Sequence, residues 1–412
     1  MKIKIRKRYL FFVLAFSSAI ISAVVAGIDT VAVENINNPL AVTLACFVLA
    51  LIVAISFGLI LSIPIKNTSI GAKTIDPSFR RIRLVKKQEI KYHILAGFGN
   101  TIMTIGYFAL FPLLNNDVSV ILPFSQIVIL YLVIAESITE KDTPTLVEVQ
   151  SSIIVTFGAI LGSISLNGNI SIETFAIVFL VINPGTMIFS FYQRKLKIMK
   201  INEKQNDSVN IRLWNVFFAF LFTCLLIIGY DFIYHTNNLY EGFIASFNQF
   251  GLLGLIAIGT FFSLVLYIRA LGIGKASVTQ AVKASAIIFS IPVTIVLSGV
   301  GSFVSDPVLL LIRIMGIILM MLGIASFALT LTKAYVFIRM KSGYSIDETM
   351  NKLWKIKGVN RVCAVAGRYD FIVKIHTRTL LKGYERILRK VAEIPGINEY
   401  KWQSVLKEWE DV

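Results

Sequence analysis

Long apolar stretches alternate with short polar connections through most of this chain. Ten stretches have about 18–24 residues each, and a helix of about 20 apolar residues crosses a bilayer. The predicted spans are Tyr9–Ile28, Leu40–Ile63, Ile94–Leu114, Val118–Ile138, Leu146–Leu166, Thr174–Tyr192, Ile211–Tyr230, Phe250–Ala270, Val278–Val300 and Val308–Leu331. The pattern predicts an α-helical polytopic membrane protein with ten transmembrane helices.

Basic residues fill alternate connections between these spans. The connections on one side contain neither Lys nor Arg: Gly27–Pro39, Leu114–Val118, Asn167–Glu173, Asp231–Gln249 and Gly301–Pro307. Because positive charge is retained on the cytoplasmic side, both termini are predicted to be cytoplasmic, in the cell membrane. The basic N-terminal tail precedes a run long enough to span, so a retained first helix is favoured over a cleaved signal peptide.

Two stretches of the chain resemble each other. Tyr107 precedes a turn with Ser119, and Tyr267 precedes a turn with Ser277, and each Ser is placed at a helix N-cap. If the repeating unit has five spans, the halves are 1–166 and 167–332, and an odd unit must insert upside down relative to its copy. Two inverted five-helix repeats are typical of transporters, which expose a site between the halves alternately to each side.

A family resemblance accompanies this repeat. The segments "ALFPLLNNDVSVILPFSQIVILYLVIAESITEKDTPTLVEVQSSIIVTFGAILGSI" and "ALGIGKASVTQAVKASAIIFSIPVTIVLSG" resemble the drug/metabolite transporter superfamily, EamA-like branch. The resemblance implies the ten-helix fold and a carrier function, and it specifies fold better than substrate. The second copy departs from the first in lacking an acidic residue that matches Glu136.

Composition excludes several other classes. The chain has 412 residues, of which 56% are hydrophobic and 16% charged, so a soluble enzyme is excluded. The net charge of +16 follows the topology of the loops, and no nucleic-acid partner is expected. Three cysteines and three histidines are scattered. No disulfide framework, metal, cofactor or catalytic site is expected, and the protein is predicted not to be an enzyme.

Two ionisable residues lie well inside the predicted spans. They are Lys283 and Arg313, and ionisable groups in spans are functional hypotheses by default. Lys283 is predicted to attract a substrate carboxylate or phosphate, whereas snorkelling to the interface is the alternative for both. Glu136 and Glu148 lie near cytoplasmic span ends. With no carboxylate near the middle of a span, facilitated diffusion or exchange is favoured over a proton relay.

Five uncharged residues complete the predicted substrate site. Asn100, Gln126 and Asn183 are polar within apolar spans, and Asn183-Pro184-Gly185 is predicted to kink its helix and free carbonyls for substrate. Tyr107 and Tyr267 are predicted to line the same cavity. Interhelical hydrogen bonding and packing remain the alternatives for these residues.

The periodicity changes near Lys333. Strand-like alternation, a capping-box helix at Ser345, two strands joined at Gly367-Arg368, an amphipathic helix and a last strand follow in the order βαββαβ. This order predicts a small α+β ferredoxin-like domain over residues 333–412.

This tail resembles the ligand-binding domain of the Lrp/AsnC transcription regulators, on its Gly367-Arg368-Tyr369-Asp370 turn and the later Ile394-Pro395-Gly396. The resemblance implies self-pairing, with homodimers or higher oligomers, and a small-molecule effector bound near Gly367, Tyr369 and Asp370. Such effectors are usually amino acids. The DNA-binding half of those regulators is absent, and a domain kept for dimerisation alone is the alternative.

Together these patterns predict a carrier of small metabolites in the lipid bilayer with a cytoplasmic sensor. Because the sensor type favours amino acids, the solute is expected to be an amino acid or a close derivative. The alternative from another class is a membrane-anchored metabolite sensor or scaffold that transports nothing.

Overall fold

The computed structural model describes residues 7–114, 123–140, 146–162, 172–201, 204–298, 307–329, 331–356, 358–378 and 383–404. The chain is mostly helical up to Leu329, and a small four-stranded sheet follows. The proposed N-cap Ser119 and the side chain of Arg313 lie outside the described residues.

The helices before the tail pack against one another, and several clusters of buried apolar side chains lie between them. They are α1 (Lys7–Ile36), α2 (Pro39–Ser62), α3 (Ile70–Thr74), α4 (Lys87–Leu113), α5 (Val128–Glu140), α6 (Leu146–Gly162), α7 (Ile172–Ala176), α8 (Asn183–Ile198), α9 (Ser208–Tyr234), α10 (Asn238–Asn248), α11 (Phe250–Leu271), α12 (Ala276–Lys283), α13 (Ala286–Ser298) and α14 (Pro307–Leu329). Two hairpins, β1–β2 (Pro64–Ile65 and Thr68–Ser69) and β3–β4 (Lys200–Ile201 and Lys204–Gln205), lie in the connections.

Six helices among the described residues are long and apolar enough to cross a membrane. They are Leu10–Ile36, Pro39–Ser62, Lys87–Leu113, Ile172–Ile198, Ser208–Tyr234 and Phe250–Leu271. Shorter apolar helices cover Pro123–Thr139, Val149–Leu161 and Ile314–Ser326. These lengths and compositions are compatible with a membrane protein.

Two predicted connections contain helix. The first span was placed at Tyr9–Ile28, but α1 continues to Ile36, so Asp29 belongs to a helix and not to a loop. The predicted connection Asp231–Gln249 contains the end of α9 and all of α10. Both errors arise because polar residues near a span end look like loop residues when tertiary packing is unknown.

Two helices are interrupted where the pattern predicted continuous spans. The helix that starts at Pro123 is interrupted by turn residues at Gln126 and Ile127, and α5 follows. The predicted ninth span divides at Ala284 and Ser285 into α12 and α13.

The predicted kink at Asn183-Pro184-Gly185 is a π-helical segment, Ile177–Ile182, followed directly by α8. Proline has no backbone N–H, so it leaves an upstream carbonyl without its helical donor. The Tyr131 hydroxyl donates to the Phe179 carbonyl at 3.0 Å, which supplies a donor in this turn.

Glycines allow two close helix crossings. A Cβ on Gly99 would lie 2.7 Å from the backbone N of Phe189, so α4 and α8 touch through their backbones. A Cβ on Gly158 would lie 2.5 Å from the backbone N of Met320, which gives α6 and α14 the same kind of contact.

The tail has the predicted βαββαβ order. Its elements are β5 (Leu331–Met340), α15 (Ile346–Trp354), β6 (Val359–Ala364), β7 (Phe371–Arg378), α16 (Gly383–Ala392) and β8 (Ile397–Ser404). The antiparallel sheet has the strand order β6-β7-β5-β8. Val336, Phe371 and Val373 bury one face of it against Leu353 and Val391 of the two helices. Ser345 caps α15 by accepting from the Glu348 N–H, as the capping-box spacing predicted.

Candidate functional site

A cavity of about 240 Å³ lies among α1, α2, α4, α8, α9, α11 and α12. Five of the six predicted substrate residues line it: Asn100, Tyr107, Gln126, Tyr267 and Lys283. These residues belong to four different predicted spans, so the fold brings together positions that are far apart in the chain. Hydroxyl groups and apolar side chains form most of the remaining wall.

Lys283 faces this cavity rather than the edge of the helix bundle. It is the last residue of α12, and its Nζ lies 4.8 Å from the centre of the Tyr267 ring. The Tyr267 hydroxyl contacts Ser190 Oγ at 2.9 Å, which fixes the ring below the ammonium. A cation over an aromatic face is stabilised by the quadrupole of the ring. Lys283 forms no hydrogen bond within the described part of the chain.

Arg212 is a second cation in the cavity wall, and the sequence analysis missed it. It lies at the start of the second turn of α9, close to the end of the predicted span, where a basic residue resembles an ordinary span-end charge. Its Nη1 donates to Asn215 Oδ1 at 3.4 Å, and the same oxygen accepts from Asn100 Nδ2 at 3.0 Å. Arg212 Nε and Asn215 Nδ2 are buried without an acceptor among the described residues.

Asp29 lines the same cavity, although it lies in the predicted connection Gly27–Pro39 and not in a predicted span. The Tyr107 hydroxyl donates to Asp29 Oδ2 at 3.1 Å, whereas Asp29 Oδ1 is buried without a donor among the described residues. Because a carboxylate lines the cavity, the absence of one near the middle of a predicted span no longer argues against a proton relay.

The two predicted amides differ in placement. Gln126 lies at the helix interruption, and its Oε1 accepts from Gln280 Nε2 of α12 at 3.2 Å, so the two interrupted helices meet in the cavity wall. Asn183 is buried outside the cavity lining, and its Nδ2 donates to the carbonyls of Val178 and Phe124. Asn183 therefore supports the π-helical segment, and the structure does not place it with the other candidates.

Glu136 links the first interrupted helix to the start of α12. Glu136 Oε1 accepts from the backbone N–H of Ala276 at 2.7 Å and forms an ion pair with Arg194 at 3.3 Å. The Ser277 hydroxyl donates to Glu136 Oε2. Ser277 is the expected N-cap, but Lys275 occupies that position, and the Glu136 carboxylate from another helix accepts from the first free N–H group, that of Ala276.

A group of paired charges, here the loop cluster, joins the connection after α2 to the ends of α8 and α9. Its members are Asp76, Arg83, Glu89, Lys197, Asn206 and Ser208. Lys197 Nζ lies 2.6 Å from Asp76 Oδ2, and the Ser208 N–H and hydroxyl donate to the same oxygen. Burial alone would raise the pKa of Asp76, but the charge of Lys197 and these hydrogen bonds hold it at about 2.

The second carboxylate of the loop cluster, that of Glu89, is also paired with a basic side chain. The two guanidinium nitrogens of Arg83 donate to the two carboxylate oxygens of Glu89, each at 2.7 Å. Asn206 accepts from Arg83 and donates to Glu89. Bidentate arginine–carboxylate pairs of this kind fix geometry as well as charge.

The predicted effector residues lie at the turn between β6 and β7. Gly367 has φ +150°, a conformation that disfavours side chains. Asp370 Oδ2 accepts from the Met340 N–H at 2.6 Å, which ties the turn to β5. The Tyr369 ring packs 5.4 Å from that of Phe337. The three residues lie in one turn, and Asp370 stabilises this turn through its hydrogen bond to β5.

Comparisons with known proteins find a match for the tail. Residues 333–411 match the family model described as Lrp/AsnC ligand binding domain. No curated protein matches the chain. A solved structure titled "Crystal structure of protein" is similar at 12% identity, with a TM-score of 0.46, over 77% of this chain and 95% of that chain. A likeness of this size does not define the fold of the helical region.

Proposed function

We propose that this protein is a carrier of small metabolites that works by alternating access, with an effector-binding tail. The observation that carries the proposal is the cavity among the apolar helices, whose wall holds Lys283, Arg212 and Asp29. Ionisable groups are costly inside a membrane and mark solute pathways there. In this proposal ten spans form two inverted repeats, both termini are cytoplasmic, and the protein catalyses no covalent reaction.

Matching hydrogen bonds at the two helix interruptions support the repeat. In the first, the N–H groups of residues 127, 129 and 130 donate to the carbonyls of 124, 126 and 127. In the second, the N–H groups of 285, 287 and 288 donate to the carbonyls of 282, 284 and 285. The two sets differ by one constant offset (285 − 127 = 158), which also relates Ser119 to Ser277 (277 − 119 = 158).

The helix contacts support it as well. In an ordered repeat, span one corresponds to span six and span three to span eight. A contact of α1 (span one) with α11 (span eight) must then be matched by one of α8 (span six) with α4 (span three), and both contacts occur. In the same way, the contact of α4 (span three) with α9 (span seven) is matched by that of α11 (span eight) with α2 (span two). Carriers built from such repeats bind solute where the halves meet.

The tail supports control by a metabolite, because Lrp/AsnC ligand-binding domains typically bind small effectors and oligomerise. It begins at Leu331, directly after α14, and α14 packs closely on α6. An effector can shift the carrier only by binding its two states with different affinities.

Flux measurements test the carrier. The full chain in proteoliposomes should exchange at least one labelled amino acid or derivative, and Lys283→Met should lose this flux. Lys73→Gln removes an exposed lysine outside the cavity and serves as the matched control. If wild-type vesicles move none of the solutes tested while the protein is folded, the carrier function is refuted.

Accessibility labelling tests the inverted arrangement separately. In a cysteine-free background, Asn35→Cys and Lys73→Cys should react with impermeant thiol reagents from opposite sides of the membrane. Labelling of both from one side would contradict the arrangement, whatever the flux measurements show.

A further inference from the structure

The charges in the cavity wall indicate the class of solute. Resting on the proposed carrier function, we infer that the cavity binds a small zwitterion, with its carboxylate between Arg212 and Lys283 and its ammonium at Asp29. This assignment gives roles to two residues that the sequence analysis did not select.

Arg212 and Lys283 form the anion-binding side. They come from α9 and α12 and line one cavity, where two like charges repel each other unless an anion lies near both. Their present contacts leave donors available, since Arg212 Nε has no acceptor and Lys283 has only the ring of Tyr267 within the described residues. A guanidinium fork matches the geometry of a carboxylate.

Asp29 forms the cation-binding side. One of its oxygens accepts from Tyr107, and the other is buried and has no donor among the described residues. Neither Arg212 nor Lys283 lies within ion-pair distance of Asp29 in the described part of the chain. The wall therefore presents separated charges of both signs, and an ammonium supplies the donors that a carboxylate accepts.

The space between these groups restricts the size of the solute. The cavity holds about 240 Å³, below the roughly 300–1,000 Å³ typical of sites for drug-sized ligands. Ala26, Ala50, Ile256 and Ala257 give part of the wall an apolar surface, and Thr104 adds a hydroxyl. A molecule the size of an α-amino acid fits these limits, whereas a solute that is anionic throughout leaves Asp29 facing a like charge.

Competition measurements test this assignment. Counterflow of each labelled α-amino acid into proteoliposomes of the full chain identifies those that move. Unlabelled deaminated and decarboxylated analogues of each then compete for its flux. The zwitterion should compete about 10- to 100-fold better than either analogue, which is the worth of a hydrogen-bonded charge.

Two variants separate the two sides of the site. Asp29→Asn should abolish the preference over the deaminated analogue, and Arg212→Gln should abolish the preference over the decarboxylated one. A general structural defect would not lower one of these two ratios in one variant and only the other ratio in the second variant. Lys283→Gln tests the anion side again if Arg212→Gln does not fold, and Lys73→Gln should leave both ratios unchanged.

The remaining outcomes would each overturn part or all of the zwitterion assignment. Equal competition by the deaminated analogue in the wild type overturns the role of Asp29, and equal competition by the amine overturns that of Arg212 and Lys283. Flux of labelled succinate, choline or glucose without flux of any amino acid overturns the zwitterion but retains the carrier. Absence of flux for every solute overturns both.

Discussion

The loop cluster and the cavity both contain buried charged side chains, but these charges have different partners in the two regions. In the loop cluster, Lys197 is paired with Asp76 and Arg83 with Glu89, at 2.6 and 2.7 Å. In the cavity, Lys283 has an aromatic ring as its neighbour, and Asp29 has a tyrosine hydroxyl. Both regions contact α9, so the difference does not come from position in the chain alone.

The difference separates charges that hold the fold together from charges available to a solute. A buried pair offsets its loss of hydration through its partner, so removal of one member leaves an uncompensated charge. A charge without an ionic partner is stabilised far less by the fold, and its presence needs another explanation. Replacing a lysine by methionine should therefore lower stability in the loop cluster, whereas in the cavity it should abolish solute flux with little change in stability.

The largest effect is expected for Lys197→Met in the loop cluster. It leaves the Asp76 carboxylate buried without its cation, and loss of one partner of a buried pair costs about 3–5 kcal/mol. The free energy of unfolding of the purified protein in detergent measures this loss. Combining it with Asp76→Asn should recover part of the loss, and a double variant as unstable as the single one would contradict the pairing.

Acid should weaken the loop cluster next. The pKa of Asp76 is lowered from 3.8 to about 2, so its stabilising contribution is complete above about pH 3.8 and is lost as the pH falls through about 2. The shift corresponds to about 2 kcal/mol. Unfolding measured between pH 5 and pH 2 checks it. Lys197→Met should flatten this dependence, and an unchanged acid slope in that variant would count against Lys197 as its source.

A smaller loss is expected for Ser277→Ala. The hydroxyl of Ser277 donates to the buried Glu136 carboxylate, which still accepts from Ala276 and Arg194 after the substitution. A hydrogen bond to a charged group contributes about 1.5–3 kcal/mol, and the remaining donors should keep the loss near the lower limit. Thermal unfolding measures it. A larger loss than that of Lys197→Met would reverse the ranking of the two contacts.

The tail elements and part of the cavity lining can be predicted from residue patterns, but the other cavity residues cannot. Alternation and the capping-box spacing predict the tail strands and α15, because these features depend on neighbours in sequence. Lys283 and Gln126 stand out as polar residues inside apolar runs, and the cavity contains both. Asp29 lies in a predicted connection and Arg212 near the end of a predicted span, where charges usually meet water, and only the packing of distant helices brings them into the cavity wall.

The helix interruptions also could not be predicted from sequence, because they involve contacts between distant helices. Ala284 and Ser285 are acceptable in a continuous helix, and neither glycine nor proline marks the break. α12, which precedes the break, is held by residues more than a hundred positions away in sequence: Glu136 accepts from Ala276 at its start, and Gln126 accepts from Gln280. Asn183 is a polar residue in an apolar run that the sequence assigns to the cavity. In the structure its side chain instead donates to the backbone carbonyl of Val178 in the adjacent π-helical turn.

The smallest change in stability is expected for Lys283→Met, which repeats the chemistry of Lys197→Met in the cavity. It removes a cation–π contact worth about 0.5–2 kcal/mol, but it also removes repulsion with Arg212 and the cost of desolvating an ammonium, so the free energy of unfolding should change by less than about 1 kcal/mol. Solute flux should nevertheless be lost. Unfolding and counterflow measured on both lysine variants complete the comparison. If Lys283→Met were as destabilising as Lys197→Met, the cavity lysine would belong to the same structural class as the loop cluster, and its assignment to a solute would fail.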